Sequence, residues 1–161
     1  MEQQDKQARD GDRGEQDELQ EALALLEQSV RRRQRPSRFH ARAILLALGQ
    51  RLLGGQAVPE HLVLRLDAVL GPQGRVPWAE AVHEELLLAA TEHVRAVDPR
   101  YLSRRDYDFA YTVAARADLE ARLRAAEELG LPAGEELLDR VVRADEILQP
   151  YLENRGQGTP G

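Results

Sequence analysis

Leucine, valine and alanine recur at helical spacing along most of the chain, and this periodicity is the strongest constraint on the fold. Leu19, Leu23, Leu26 and Val30 follow one another at intervals of four, three and four residues, which places them on one helix face. No stretch alternates apolar and polar residues as a strand does. Only 4% of the residues are aromatic, so the core must come from residues that favour helices. The sequence predicts an all-α, single-domain bundle of about six helices with short connections.

Proline and glycine mark the predicted helix ends. Pro36 disfavours helix at the residue before it, so the first helix ends near Gln34, and Ser37 is a plausible N-cap of the second. Gly54-Gly55 ends the second helix, a third helix begins at Pro59, and a turn follows at 71–74. A fourth helix is predicted from Pro77 to about Val97 and a fifth from Ser103 to about Leu129. The sixth begins near Ala133 and has a kink or an end at Pro150.

The two ends of the chain differ in composition from the middle. Residues 1–17 are polar and acidic, which predicts a disordered tail before a helical domain at 18–153, and residues 154–161 predict a flexible C-terminal tail. The absence of cysteine excludes disulfides, thiolate metal sites and a cysteine nucleophile. With neither a signal peptide nor a spanning apolar run, we expect a cytoplasmic protein and no membrane partner. Of the 22 cations 21 are arginine, a skew typical of GC-rich bacterial genomes.

An arginine cluster is the clearest charge feature. Residues 31–42 hold six cations and no acid in a chain of net charge −6. Its members are Arg31, Arg32, Arg33, Arg35, Arg38 and Arg42. Such a cluster suits the phosphate backbone of a nucleic acid or an acidic protein partner. Two other interpretations stay open. The cations can complement the dipole at the end of the first helix, or they can attract the acidic N-terminus of the same chain.

A tyrosine-rich segment at 101–111 is the candidate protein-binding face, because tyrosine and arginine are enriched where interfaces are strongest. The residues concerned are Tyr101, Arg104, Arg105, Tyr107 and Tyr111. Tyr107 and Tyr111 are four residues apart, which predicts that they share a helix face. The alternative is a core edge, in which the rings pack and the hydroxyls stay wet.

The predicted fifth helix carries a row of small residues. Alanine stands at 110, 114, 117, 121 and 125, at intervals of four, three, four and four residues. Small side chains allow a close approach between helices. The row predicts tight packing inside the bundle or, alternatively, the seam of a homo-oligomer.

Residues 56–71 (QAVPEHLVLRLDAVLG) carry a local pattern of their own. Pro59, His61, Leu62, Leu70 and Gly71 match the second helix of the AraC-type helix-turn-helix, so this segment resembles that family of bacterial DNA-binding regulators. The resemblance implies a helix that reads DNA. The base-facing and capping positions of the family fall here on Val58, Val63 and Leu64, whose side chains form no hydrogen bonds with base edges.

The sequence contains no complete catalytic or metal-binding motif. Glu80 and His83 form one Glu-x-x-His, whereas di-metal bundles use two such motifs and two further glutamates. No nucleophile elbow, phosphate-binding loop or dinucleotide motif is present, and we expect neither a metal nor a cofactor.

The leading hypothesis is therefore a non-catalytic helical protein–protein interaction module: a bacterial adaptor, accessory subunit or regulator. Acidic 127–146 and basic 31–42 also suit self-association. The alternative is a nucleic-acid-associated accessory protein that uses the arginine cluster, and the remote alternative is an enzyme whose site is dispersed in sequence.

Overall fold

A computed structural model describes residues 18–156, and the predicted tail at 1–17 lies outside them. The described residues form six helices and no strand, which confirms the predicted all-α bundle. In chain order the helices are α1 (18–31), α2 (Arg38–Leu53), α3 (Leu62–Ala96), α4 (Pro99–Leu102), α5 (Phe109–Glu128) and α6 (Glu135–Gly156). Helix α6 passes through Pro150 and continues beyond Asn154, where the sequence predicts a tail.

The predicted turn at 71–74 is reduced to a single residue. Gly71 has φ 62° and ψ −178°, a conformation outside the helical region, and the helix resumes directly after it. Pro72 then occupies the first position of the new segment, where its missing N–H removes no intrahelical bond. Helix α3 is therefore two helical segments joined at a bend.

The start of α5 differs from the prediction because two aspartates cap the helices there. The Asp98 carboxylate accepts from the Arg100 N–H at 2.9 Å and begins α4, which ends at Ser103. Asp108 accepts from the Ala110 N–H at 2.9 Å and begins α5 at Phe109. The prediction that Ser103 caps the fifth helix is wrong, since Ser103 ends a shorter helix.

The buried residues fall into one large and two small apolar clusters. The large cluster joins α1, α2, most of α3 and the C-terminal half of α5. The small clusters lie where the C-terminal half of α3 meets α5 and α6. Ala90 and Val141 belong to one of them, and Val97, directly after α3, belongs to the other together with Leu148. Because the numbers rise together on both helices, α3 and α6 run in the same direction, with α5 antiparallel to both.

Helices α2 and α5 approach closely at Gly49. Gly49 is buried, and a Cβ at this position would overlap the backbone carbonyl of Ala121. The row of alanines on α5 therefore contributes to internal packing at its C-terminal end, where Ala121 and Ala125 are buried. Its first three members, at 110, 114 and 117, are exposed.

We predict that Gly49→Ala destabilises the protein by about 2–3 kcal/mol or more, because α2 and α5 must move apart to admit the methyl group. Urea denaturation measures the change. Gly134→Ala is the matched control, since no atom lies within 4 Å of the added methyl group, and it should cost under about 1 kcal/mol. Equal losses in both variants would show that the crossing is not constrained by Gly49.

Candidate functional site

A groove of about 370 Å³ lies between the C-terminal half of α3 and α6. Apolar side chains make up most of its lining: Leu87, Ala90, Val94, Val97, Leu137, Ala144 and Ile147. Leu87 is 51% exposed, Val94 39% and Ile147 43%. No other element of the described chain covers them. Several large apolar side chains exposed along one groove mark a surface suited to an interaction.

Three arginines line the same groove. Arg95 belongs to α3, whereas Arg140 and Arg143 belong to α6, and no acidic residue lines the groove with them. None of the three forms an ion pair with another described residue. The α3–α6 groove thus combines apolar walls with unneutralised positive charge.

Sequence reasoning did not identify this groove, because its two walls, 87–97 and 137–147, are far apart in the chain and share no motif. One signal was available. Leu87 and Val94 are apolar and seven residues apart, yet both lie off the buried face of α3 that contains Leu86, Ala89 and His93. Apolar residues outside the buried stripe of an amphipathic helix indicate a second contact surface.

A polar network behind the groove joins α3, α5 and α6. The buried His93 on α3 places Nε2 2.8 Å from Oδ1 of Asp145 on α6. Arg116 on α5 donates to the same carboxylate from Nε at 2.9 Å and from Nη2 at 3.0 Å. Arg116 also donates from Nη1 to Glu120 at 3.0 Å. Charge-assisted, bidentate bonds of this kind are among the strongest that side chains form.

The network shifts the titration of its central carboxylate. Burial by itself would raise the pKa of Asp145, but hydrogen bonds from Arg116 and His93 favour the charged form and lower its pKa overall. The pKa of Arg116 is raised, because its bonds to Asp145 and Glu120 outweigh the effect of burial. Asp145 therefore stays ionised to lower pH in the folded protein than in the unfolded chain.

The structure divides the arginine cluster predicted at 31–42. Arg38 turns inward and pairs with Glu85 at 3.1 Å, and Arg122 approaches the other oxygen of that carboxylate at 3.0 Å. Glu85 is only 2% exposed, so Arg38 is committed to a buried ion pair. Arg42 lines a separate cleft between α2, α3 and α5.

The remaining members of the cluster, Arg31, Arg32, Arg33 and Arg35, are exposed in the α1–α2 connection. These four stay exposed, whereas Arg38 pairs with Glu85 and Arg42 lines another cleft.

The tyrosine-rich segment is divided as well. Tyr107 precedes α5, so the predicted helical pairing with Tyr111 is wrong; the cap at Asp108 starts the helix too late. Tyr107 packs edge-on against Phe109 with ring centroids 5.1 Å apart, and its hydroxyl lies 2.6 Å from the Thr112 hydroxyl.

Tyr111, by contrast, is 71% exposed and lines the same cleft as Arg42. The exposed ring of Tyr101 is stacked by Arg104 at 4.9 Å, and Arg105 is exposed close by. The segment therefore presents Tyr101 and Tyr111 to solvent in different places and uses Tyr107 for packing.

Two further properties follow from the described residues. No three His, Asp or Glu side chains within 18–156 are placed to hold a metal ion. In the same part of the chain, no helix has both the length and the apolar character needed to span a bilayer. Comparisons of the chain with protein families, curated proteins and solved structures find no match.

We predict that Asp145→Asn costs about 1–3 kcal/mol at pH 7, because it removes the charged partner of Arg116 and His93. Since folding lowers the pKa of Asp145, its contribution is present above the usual carboxyl pKa of about 4 and is lost as pH falls through the lower folded value. Urea denaturation at several pH values should show the two proteins converging below about pH 4. The exposed Asp139→Asn is the control and should show no such convergence.

We predict that two alanine substitutions in the tyrosine-rich segment differ in their effect on stability. Tyr107→Ala should cost about 2 kcal/mol or more, since it removes an aromatic contact and the partner of the buried Thr112 hydroxyl. Tyr111→Ala should change stability by less than about 0.5 kcal/mol, because the ring is exposed. Thermal and urea unfolding measure both, and a comparable loss in the two variants would contradict this assignment.

Proposed function

We propose that this chain is a non-catalytic protein–protein interaction module, an adaptor, accessory subunit or regulator, that docks an acidic amphipathic helix of a partner protein in the α3–α6 groove. The observation that carries the proposal is the combination, in one uncovered groove, of apolar walls with three arginines that have no acidic partner among the described residues. The apolar walls suit an apolar face of the partner helix, and the arginines suit acidic residues beside that face.

The shape of the groove favours a helix as the occupant. Its walls are two parallel helices, and the α3 wall runs over 87–97, a length of about 15 Å or roughly three helical turns. An amphipathic helix fills such a space by anchoring residues at positions i, i+3 or i+4, and i+7. Leu87, Val94 and Ile147 keep much of their surface exposed, so a broad apolar face is available to these anchors.

The arginines favour acidic residues at the margins of that helix. Arg95 stands on one wall and Arg140 and Arg143 on the other, so carboxylates on either side of the apolar stripe would meet a guanidinium. Planar guanidinium groups bind carboxylates in a bidentate manner and are enriched at the strongest points of interfaces. Complementary charge also accelerates association and excludes basic partners.

The openness of the groove argues against a small apolar ligand. Pockets for such ligands enclose most of the ligand surface. Here the largest apolar side chains stay about half exposed, and an acyl chain laid along the groove would keep one side in water. A helix covers the groove and supplies its own polar outer face.

A charge-swap experiment tests the proposal with two synthetic peptides of about 14 residues, each with leucine at helical spacing. One carries glutamate and the other lysine on the remaining positions. Fluorescence anisotropy should show that the acidic peptide binds and the basic one does not. Arg140→Glu with Arg143→Glu should weaken acidic-peptide binding at least about tenfold and allow the basic peptide to bind.

The matched control is Arg75→Glu with Arg105→Glu, which makes the same change of charge at exposed positions outside the groove. It should leave the affinity within about twofold. Chemical shift changes should concentrate on Leu87, Val94 and Ile147. Equal binding of both peptides, or shifts that map elsewhere, would refute the proposal, and tighter binding of dodecanoate than of the acidic peptide would assign the groove to a lipid anion instead.

A further inference from the structure

The connection between α1 and α2 carries exposed arginines and is held by hydrogen bonds. We call residues 31–35 the arginine loop. The Arg33 N–H donates to the Val30 carbonyl at 2.9 Å, and the Gln34 N–H donates to the Ser29 carbonyl at 2.9 Å, which closes the end of α1. The Ser29 hydroxyl also donates to the Gln34 side chain at 3.2 Å. Pro36 and the Ser37 cap of α2 fix the far end.

Arg33 occupies a position in this loop that favours glycine. Its φ is 59°, and it is the only non-glycine residue with positive φ among the described ones. Such a conformation is unfavourable for a residue that carries a side chain. Here it closes the end of α1, so the two hydrogen bonds from Arg33 and Gln34 fix the backbone of the loop.

The charges of the arginine loop are not neutralised by the described chain. None of Arg31, Arg32, Arg33 and Arg35 forms an ion pair with a described residue. Glu27, which lies one turn before the loop, is held by Arg65 at 2.9 Å. Arg35 shares a cleft with Glu80 and Glu84, and Arg31 shares another with Glu27. The unopposed charge is therefore concentrated on Arg32 and Arg33.

The sequence supplies an acidic complement. Residues 1–28 hold nine acids and three cations, whereas residues 29–161 hold 19 of each, so the net charge of −6 comes entirely from the N-terminal part. Residues 1–17 alone hold six acids and three cations, and they precede the helix whose other end carries the arginine loop.

We propose that the arginine loop is a surface for acidic peptide segments and that its resident occupant is the N-terminal segment, residues 1–17, of the same chain. The contact is separate from the α3–α6 groove and does not depend on the function proposed for it. When the segment is bound, other polyanions must displace it, so the N-terminal segment competes with them for the arginine loop.

The distances allow this contact. Helix α1 covers 18–31, a length of about 21 Å, and 17 extended residues reach up to about 56 Å. A segment tethered at this range has an effective concentration in the millimolar range at the loop. Several weak carboxylate–guanidinium pairs therefore suffice to keep it bound at low ionic strength.

Paramagnetic relaxation measures the contact directly in the full chain. The protein has no cysteine, so Ala8→Cys creates a unique position for a nitroxide label. At low salt the label should broaden the amide signals of Arg31, Arg32 and Arg33, and about 0.5 M salt should restore them because it shortens the screening length to a few ångströms. Replacement of these three arginines by glutamine should abolish the broadening of the neighbouring signals of Gln34 and Arg35.

The matched control replaces Arg75, Arg105 and Arg124 by glutamine, which removes the same charge from exposed positions elsewhere. It should leave the broadening unchanged. No broadening at low salt in the unmodified loop would overturn the proposal. Broadening of Val94 or Ile147 instead would overturn it as well, because the segment would then lie at the α3–α6 groove.

A second measurement uses a 20-base-pair DNA duplex as the polyanion. A full-length variant with amides in place of the six acids of residues 1–17 should bind this duplex about tenfold more tightly than the natural chain at low salt. The acids are Glu2, Asp5, Asp10, Asp12, Glu15 and Asp17. Removing the three loop arginines should cancel the gain. Equal affinity of the natural and the amide chain would show an open nucleic-acid surface and overturn the proposal.

Discussion

The buried carboxylate of Glu85 is the interaction on which the arrangement of the central helices depends. It is 2% exposed and is approached by Arg38 from α2 and by Arg122 from α5, so three helices meet at one charged group. A buried ion pair contributes little net stability, but removal of one partner leaves an uncompensated charge, at a cost of about 3–5 kcal/mol. The group therefore penalises any rotation or sliding of α3 that would separate it from both arginines.

The ion pairs of Glu85 also fix the orientation of α3 where it forms a wall of the groove. Glu85, Ala89 and His93 recur every four residues and are all buried, so they fix which side of α3 faces the bundle. With that side fixed, Leu87 and Val94 must emerge toward α6 at the opening between the two helices. The bond from His93 to Asp145 then holds α6 at a constant register beside α3. The α3–α6 groove therefore results from the way buried polar groups orient these two helices, and it is already formed in the folded chain.

The sequence predicts the helices well because their signals are local. The spacing of leucines, Ser37 as a cap and the glycine at 130 act within one or two turns, and no distant residue is needed to interpret them. The start of α5 is different, because Ser103 and Asp108 are both suitable cap residues and the sequence does not rank them. Ser103 is not the cap of α5 because it ends α4. Helix α4 has only four residues, which is too short to produce a periodic pattern in the sequence.

The groove could not be predicted from local signals as the helices were, because arginines have three different roles in this fold. Arg38 and Arg122 neutralise a buried glutamate, Arg116 holds a carboxylate on α6, and Arg95 faces solvent across an apolar groove. The sequence shows Arg38 as a member of the arginine cluster and the other three as isolated cations on helices. The ion-pair partners lie on other elements, so only the packing of α3 against its neighbours distinguishes the structural arginines from those that line the groove without an acidic partner.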